Sequence, residues 1–356
     1  MKESTLPLFT CPRPLHGGGC GGALVLRSTP ALPITRGCPA DEIREGLLRC
    51  VTCGQEHPVL SGVAILTPHP DDYLRRYYHS LRRDLARYGA LSDPADVWLS
   101  RYHTPRRRKQ DYGADFRFSQ QFEDAWDVAR AAADDPQTLY GPFAEWLAQV
   151  RGQSPYAVLS RWAAQQAAPR RLALDTGCGA GGLASRVTPL YQTLIGVDLS
   201  FLAILLARKA LLHAPTAERS YLLTRWRGDT VERPLPVRDC PGAEFVVADC
   251  TALPFPGGLF DAVFSSNVID IASMEGCLDE AVRTLDAAGS FFLTDPFYFR
   301  DGEVPREDPR EALRSALSAR GLTVSEEQDG VPWAWSIYDR HWRVYFNYCC
   351  VAQRSR

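Results

Sequence analysis

The stretch Leu-Ala-Leu-Asp-Thr-Gly-Cys-Gly-Ala-Gly-Gly-Leu, residues 172–183, is the most informative part of this chain of 356 residues. An apolar run ends in a carboxylate, Asp175, and a glycine turn with Gly177, Gly179 and Gly181 leads into an amphipathic helix. Glycines allow a tight turn and a close approach of the backbone to a ligand, because no Cβ is in the way. The pattern predicts an α/β fold with a ligand at the end of this strand.

Two classes of ligand suit a glycine turn after a first strand. The dinucleotide fingerprint of nicotinamide-dependent oxidoreductases also places a glycine turn there, with an acidic residue near the end of the second strand. Asp175, however, stands directly before the turn, where its negative charge would oppose a pyrophosphate. The same charge suits the cationic amino-acid part of S-adenosylmethionine, directly or through water, which favours the methyl donor.

Strands and helices alternate from residue 171 onward, which predicts a mainly parallel sheet covered on both faces. Before it, two segments read as helices, 72–88 and 122–133. The candidate strands are Leu172–Asp175, Leu194–Asp198, Glu244–Ala248, Phe260–Ser265, Gly289–Thr294, Leu322–Glu327 and Trp342–Val351.

The stretch 172–183 resembles motif I of the class I S-adenosylmethionine-dependent methyltransferases, and the resemblance continues in order over about half the chain. Residues 194–200 look like their second strand, 245–255 like the next motif, and 260–267 like the fourth strand and the loop beneath the sulfonium. The resemblance implies that Asp198 binds the ribose hydroxyls and that Asp249 accepts a hydrogen bond from the adenine amino group.

This resemblance implies a doubly wound, seven-stranded Rossmann-like sheet and S-adenosyl-L-methionine as methyl donor. In it the Cys250 backbone amide would face the adenine ring, and Asn267 would be the loop residue that faces the substrate. The implied cofactor-binding residues are Asp175, Gly177, Gly179, Gly181, Asp198, Leu199, Asp249, Cys250 and Asn267.

Four cysteines near the N-terminus have the arrangement of a two-knuckle zinc ribbon: Cys11, Cys20, Cys50 and Cys53. The second pair is separated by two residues, whereas the first pair is stretched by the glycine-rich insertion 12–19. His16 could replace one of the four cysteine sulfurs as a metal ligand. Four thiolates leave no open coordination position, so the expected Zn²⁺ is structural. The other cysteines are scattered, and we expect them to be packing residues or inert thiols.

Residues 48–66 resemble the small zinc-ribbon activator protein that partners several eukaryotic methyltransferases, and its bacterial relatives. A ribbon before a methyltransferase domain is also similar to the bacterial large-subunit rRNA guanine methyltransferases. We therefore expect a zinc-ribbon module at 1–68, a helical connector or substrate cap at 69–168, and an S-adenosylmethionine-binding domain at 169–356 with an insertion at 220–242.

The methyl acceptor is less well specified. A faint likeness of 267–270, 295–298 and 331–333 to the methyltransferase domain of ovothiol synthase favours a small molecule or peptide of specialised metabolism. An rRNA, tRNA or protein methyltransferase that docks its substrate on the ribbon is the alternative, and a non-catalytic scaffold is a third possibility. The candidate catalytic residues are Asn267 as orienter and, where a proton must be removed, Asp270, Asp295, Tyr298 and His341.

Composition narrows the class further. The formal net charge is −2 with a pI near 6.4, so no global positive field indicates nucleic acid, although RNA is not excluded. No apolar run approaches the roughly 20 residues that span a bilayer. Residues 1–7 lack the pattern of a secretory signal, so a cytoplasmic location is expected. The sequence carries no signal for an oligomeric state.

Overall fold

A computed structural model describes residues 1–15, 18–37, 41–105, 146, 149–150, 153–166, 170–212, 220–224, 230–234, 239–299, 307–338 and 341–354. The helices are α1 (Pro70–Tyr88), α2 (Asp93–Ser100), α3 (Pro155–Gln165), α4 (Ala184–Val187), α5 (Phe201–Leu211), α6 (Met274–Thr284) and α7 (Pro309–Ala319). Short 3-10 helices lie at Glu3–Leu8 and Thr188–Leu190.

The strands fall into an N-terminal and a C-terminal group. The first comprises β1 (Pro14–Leu15), β2 (Gly18–Gly19), β3 (Leu24–Arg27), β4 (Thr35–Arg36), β5 (Ile43–Cys50), β6 (Glu56–Leu60) and β7 (Val63–Ala64). The second comprises β8 (Leu172–Thr176), β9 (Thr193–Asp198), β10 (Ser220–Thr224), β11 (Thr230–Pro234), β12 (Ala243–Val247), β13 (Phe260–Ser266), β14 (Leu285–Asp295), β15 (Leu322–Tyr338) and β16 (His341–Arg354).

A seven-stranded sheet organises the C-terminal half, in the order β12-β9-β8-β13-β14-β16-β15. Its first five strands are parallel, while β16 runs antiparallel to both β14 and β15. Strands β8, β12 and β13 are buried along their whole length, as expected of parallel strands with helices on both faces. The predicted Rossmann-like α/β fold is confirmed, and each of the seven predicted strands is present.

The last two strands are longer than predicted. Strand β15 runs on to Tyr338, so the aromatic residues around Trp333 belong to a long hairpin. Pro332 is tolerated within β15 because β15 is the edge strand of the sheet. The hairpin therefore extends past the end of β14, which pairs with β16 only as far as Tyr348.

The N-terminal module is a small antiparallel sheet, β3-β5-β6-β7, with β4 paired to β5. The insertion between Cys11 and Cys20 contains the two-residue hairpin β1–β2, which brings the ends of the stretched knuckle together. The backbone amide of Cys20 donates to the Arg13 carbonyl at 2.7 Å, and that of Cys11 donates to the Gly22 carbonyl at 2.9 Å. The insertion thus loops out without separating the two cysteines.

The module continues the large sheet at its β12 edge. Ile65 pairs in parallel with Val247, and the Leu66 amide donates to the Val247 carbonyl at 2.8 Å. Beside this junction the buried Arg208 of α5 forms ion pairs with Glu42 of the module, at 3.0 Å, and with Glu244 of β12. One guanidinium therefore ties the N-terminal module to the sheet.

Helix α1 matches the predicted helix 72–88 and packs against α5. The predicted helix 122–133 lies outside the described residues. Within the insertion 220–242 the described parts form the antiparallel hairpin β10–β11. Among the helices that the structure describes, none combines the length and apolarity needed to cross a membrane.

Replacing Arg208 by Met should destabilise the fold by about 3–5 kcal/mol, because Glu42 and Glu244 would be left as buried carboxylates without their cation. Urea unfolding followed by circular dichroism measures the change. Arg310→Met is the matched control, since Arg310 pairs with Asp308 and Asp329 at the exposed surface and its loss should change stability little. Equal losses in the two variants would contradict the role assigned to Arg208.

Candidate functional site

The glycine turn between β8 and α4 has the conformation that its sequence predicts. Gly177 and Gly179 have φ of +68° and +53°, in the left-handed region that favours glycine. A Cβ on Gly177 would lie 2.1 Å from Cγ2 of Val268, so the turn packs tightly on the loop after β13. A Cβ on Gly179 would meet no atom within 4 Å. Gly181 packs against α5. The turn is therefore closed at Gly177 and open to a ligand at Gly179.

Asp175 lies at the end of β8 and is fully buried. Neither carboxylate oxygen has a hydrogen bond of ordinary geometry among the described residues, although the Ala184 amide is near enough to oppose the rise in the pKa of Asp175. Burial, and then the nearby Asp198 carboxylate, raise the pKa of Asp175 to about 8. A buried carboxyl group in this state costs free energy unless a partner supplies hydrogen bonds or positive charge.

Asp198, at the end of β9, joins two loops of the site. One oxygen accepts from the Gly179 amide at 3.0 Å and the other from the Ser200 amide at 2.8 Å. Burial raises the pKa of Asp198 above its usual value. The next residue, Leu199, is exposed, and its carbonyl accepts from the Tyr73 hydroxyl of α1 at 2.9 Å. Helix α1, in the segment predicted to be a connector or substrate cap, therefore borders the site.

Asp249 follows β12, and its Oδ1 accepts from the Thr251 amide at 2.9 Å and from the Thr251 hydroxyl at 2.7 Å. These bonds fix the loop after the strand. The Sγ of the adjacent Cys250 lies 3.3 Å from Sγ of Cys277 on α6. This thiol contact raises the pKa of Cys250, and burial adds to the shift.

These residues fit an S-adenosylmethionine molecule. Asp175, Asp198 and Asp249 end three neighbouring parallel strands, so their carboxylates lie along one edge of the sheet. The unpartnered oxygens of Asp175 suit a cationic amino-acid group, and the open side of Gly179 leaves room for the ligand beside them. Each oxygen of Asp198 retains a lone pair for a ribose hydroxyl.

A second polar group lies at the ends of β13 and β14. Asn267 has φ of +56°, and its backbone amide donates to the Thr294 carbonyl at 2.8 Å. The Nδ2 group of Asn347 donates to Oδ1 of Asn267 at 2.6 Å and to the Thr294 hydroxyl at 3.0 Å. Asn347 is fully buried. Sequence reasoning missed it; the one available signal is a polar residue inside the apolar strand β16.

Asp270 and Asp295 form a buried carboxyl pair. Burial first, and then the charge of Asp270, raise the pKa of Asp295 well above its usual value. Oδ1 of Asp295 accepts from the Phe297 amide at 2.8 Å. Strand alternation places Asp295 on the opposite face of the sheet from Thr294, and its partner Tyr348 packs in the core on that face. Among the predicted catalytic residues, Asp295 is thus separated from the polar group of Asn267.

Tyr298 and His341 belong to the region of the long hairpin. Tyr298 is 69% exposed, and its ring centre lies 6.2 Å from that of Tyr345 on β16. His341 begins β16 opposite Tyr338, and its side chain lies outside the described part of the chain. The catalytic roles of both residues remain predictions.

The four predicted metal ligands come together. The sulfur atoms of Cys11, Cys20, Cys50 and Cys53 all lie within 4.8 Å of one another, with Cys11–Cys53 at 3.7 Å and Cys20–Cys50 at 3.6 Å. Zn–S bonds of about 2.3 Å in a tetrahedron separate the sulfurs by roughly 3.8 Å. The cluster is therefore compatible with a Cys₄ zinc ribbon. The alternative ligand His16 lies outside the described residues, whereas the buried His57 places Nε2 3.7 Å from the Cys11 sulfur.

Comparison with known proteins finds similarity to methyltransferases in the same part of the chain. Residues 174–293 match the family model "Methyltransferase domain". A curated relative, the malonyl-[acyl-carrier protein] O-methyltransferase of Legionella pneumophila, is 30% identical over 153 residues, which cover 42% of this chain and 44% of the relative. The chain thus spans less than half the length of this relative.

Two solved structures illustrate the more distant likenesses. A TehB-like S-adenosylmethionine-dependent methyltransferase of Corynebacterium glutamicum has 19% identity and a TM-score of 0.37, over 57% of this chain and 88% of its own. The geranyl diphosphate C-methyltransferase of Streptomyces coelicolor has 15% identity and a TM-score of 0.38, over 56% and 76%. Such TM-scores are too low to transfer a substrate from either protein.

Protein purified without chelator should contain one zinc ion per chain, because the four sulfurs already have the spacing of a tetrahedral site. Metal analysis by mass spectrometry measures the ratio. Cys50→Ala should lose the ion, whereas Cys350→Ala, which removes a buried thiol of β16, should retain it. Metal-free protein with four freely reactive thiols would refute the zinc assignment.

Proposed function

We propose that this chain is an S-adenosylmethionine-dependent methyltransferase that acts on a small-molecule or peptide acceptor. The observation that carries the proposal is Asp175, a fully buried carboxyl group without a hydrogen bond of ordinary geometry in the described chain, just before a glycine turn that is open at Gly179. A cationic ligand part at this position would remove the cost of that burial. The match of residues 174–293 to a methyltransferase domain supports the same assignment.

In the proposed organisation, residues 1–68 form a zinc ribbon with a structural ion, 69–168 a connector, and 169–356 the catalytic domain. The connector borders the donor site through the bond from Tyr73 to the Leu199 carbonyl. The ribbon adjoins the β12 edge of the sheet, where Ile65 pairs with Val247. Its four thiolates would complete the shell of a zinc ion, so we assign it no part in the chemistry.

S-adenosylmethionine would supply a methyl carbon already activated by a positively charged sulfur. The residues of this chain then bind and align the reactants, which accounts for much of the rate in such a displacement. Asp175 would hold the amino-acid end, Asp198 the ribose and Asp249 the adenine amino group. Asn267 would face the acceptor. A proton that the acceptor must lose would pass to solvent, because Asp295 of the buried pair Asp270 and Asp295 lies on the face of the sheet opposite Thr294 and its partner Asn347.

A specific surface feature supports the second candidate function, methylation of RNA or protein docked on the ribbon. A cleft of about 560 Å³ lies between the ribbon and helices α1 and α2. Its lining combines arginine and aromatic side chains with acidic ones: Arg13, Arg75, Arg101, Trp98, Tyr102, Glu56 and Asp71. Cationic and aromatic groups together suit a phosphate backbone and its bases. The acidic residues and the net charge of −2 favour the first candidate.

A labelling experiment distinguishes the two candidate functions. It measures transfer of label from methyl-labelled S-adenosylmethionine into separated pools of small metabolites, peptides, proteins and RNA. We expect label in the metabolite or peptide pool, and none with Asp198→Ala, because the donor loses its ribose contact. Asp279→Ala, an exposed change on α6, is the matched control and should retain activity. Label confined to RNA would support docking on the ribbon instead. Failure of the wild-type protein to bind S-adenosylhomocysteine would refute the proposed function.

Affinity for S-adenosylhomocysteine should rise between pH 6 and pH 7.5, by up to about tenfold per pH unit. The reason is that Asp175 has a pKa of about 8 in the ligand-free protein, and binding of a cationic amino group requires its ionised form. Isothermal titration calorimetry across this range measures the dependence. Asp175→Asn should bind more weakly and with a flatter pH profile. An unchanged slope in that variant would contradict the contact assigned to Asp175.

A further inference from the structure

Two buried oxygen atoms near the ends of β13 and β14 have no role in the donor site described above. Oδ1 of Asn347 and Oγ of Ser266 are shielded from solvent, and neither has a hydrogen-bond partner among the described residues. The donor group of Asn347 is already used, because Nδ2 bonds to Asn267 and Thr294. Its oxygen can only accept, so a ligand that completes this site must bring an N–H or O–H group.

The sheet register places these oxygens next to the donor site. Phe264 pairs with Asp175, and Ser266, two residues further along β13, pairs with Thr294. Alternation along β13 therefore puts Ser266 on the same face as Phe264, one step nearer the end of the sheet. Thr294 in turn bonds to Asn347, and the loop after β13 contacts the glycine turn through Val268. Ser266 thus lies one strand from Asp175, and Asn347 lies two strands further along the same face of the sheet, with Thr294 between them.

The charge of this region favours a cation. Asp175 and Asp198 lie along the same edge of the sheet, and each has its pKa raised chiefly by burial. In the described part of the chain, the hydrogen bonds of Ser266, Asn267, Thr294 and Asn347 involve no lysine, arginine or histidine side chain. A carboxylate acceptor would therefore find no counter-charge from these four residues, whereas a nitrogen group would be stabilised.

We propose that Ser266 and Asn347 form an acceptor subsite for an amine nitrogen, placed where the methyl group is transferred. An amino group can donate to both oxygens and keep its lone pair for the methyl carbon, whereas a hydroxyl group could donate only to Asn347 and would have to accept from the Ser266 hydroxyl with one of its own lone pairs. Asn347 has a second, positioning role, since its amide group orients Asn267. The inference rests on the proposed function, and it differs from the acceptor oxygen that the name of the Legionella relative implies.

Methyl transfer at this subsite begins with the free amine. The amine first releases a proton to solvent and binds as the neutral base. Its lone pair forms the N–C bond to the methyl carbon as the C–S bond breaks, and that electron pair remains on sulfur as S-adenosylhomocysteine forms. The methylated nitrogen is then cationic, still offers N–H groups to both oxygens, and loses its extra proton to solvent on release.

Sinefungin tests the subsite without knowledge of the acceptor, because it carries an amine in place of the transferred methyl group. We expect the wild-type protein to bind sinefungin about tenfold more tightly than S-adenosylhomocysteine, the effect of one charge-assisted hydrogen bond. Asn347→Leu and Ser266→Ala should reduce this ratio severalfold while S-adenosylhomocysteine binding persists. Asn347→Asp, which keeps an accepting oxygen, should retain the preference.

Cys349→Ala is the matched control, because Cys349 is equally buried, lies two residues from Asn347 and contacts Thr294 as well. It should leave the ratio unchanged. Equal affinities for the two ligands in the wild type, or equal weakening of both by Asn347→Leu, would overturn the subsite. Absence of S-adenosylhomocysteine binding would instead refute the proposed function.

A second experiment identifies the bond that holds the transferred methyl group in the product. Label recovered in the transfer experiment should resist mild base and be retained on a cation-exchange column, as an N-methyl group on an amine does. Base-labile label would identify a methyl ester and overturn the proposal, even if sinefungin were preferred.

Discussion

The burial of an unpartnered carboxyl group at Asp175 is the constraint around which the donor site is arranged. The group lies at the end of an apolar strand in the centre of the sheet, so it is shielded from water, and the glycine turn that follows makes no hydrogen bond of ordinary geometry to it. Burying this carboxyl group costs free energy, and the nearby Gly179 has empty space where a side chain would otherwise lie. A ligand with a positive amino group would fill that space and offset the cost of burial, which is the basis of the proposed function.

The donor side of the site could be predicted because its signals are local. Asp175, the glycines and Asp198 lie in short runs in which a strand, a turn and a helix follow one another. Ser200 caps α5 directly after Asp198, so chain order and spatial order coincide there. The four cysteines could likewise be recognised in pairs, and the stretched first pair closes through a hairpin.

The acceptor side could not be predicted in the same way because its contacts are long-range. Asn347 bonds to Asn267 across eighty positions of sequence, and that bond depends on the register of β14 and β16. Similarly, the ties of Arg208 to Glu42 and Glu244 join three segments whose charges look ordinary along the chain. The candidates Asp295 and Asn267 follow adjacent strands, yet strand alternation points the Asp295 and Thr294 side chains to opposite faces.

A crystal structure of the complex with S-adenosylhomocysteine would show directly whether Asp175 holds the amino group of the ligand. We expect that amino group within hydrogen-bond reach of Asp175, the ribose hydroxyls at Asp198, and the adenine amino group at Asp249. A saturated complex with the ligand elsewhere, or with a carboxylate or other anion next to Asp175, would contradict it.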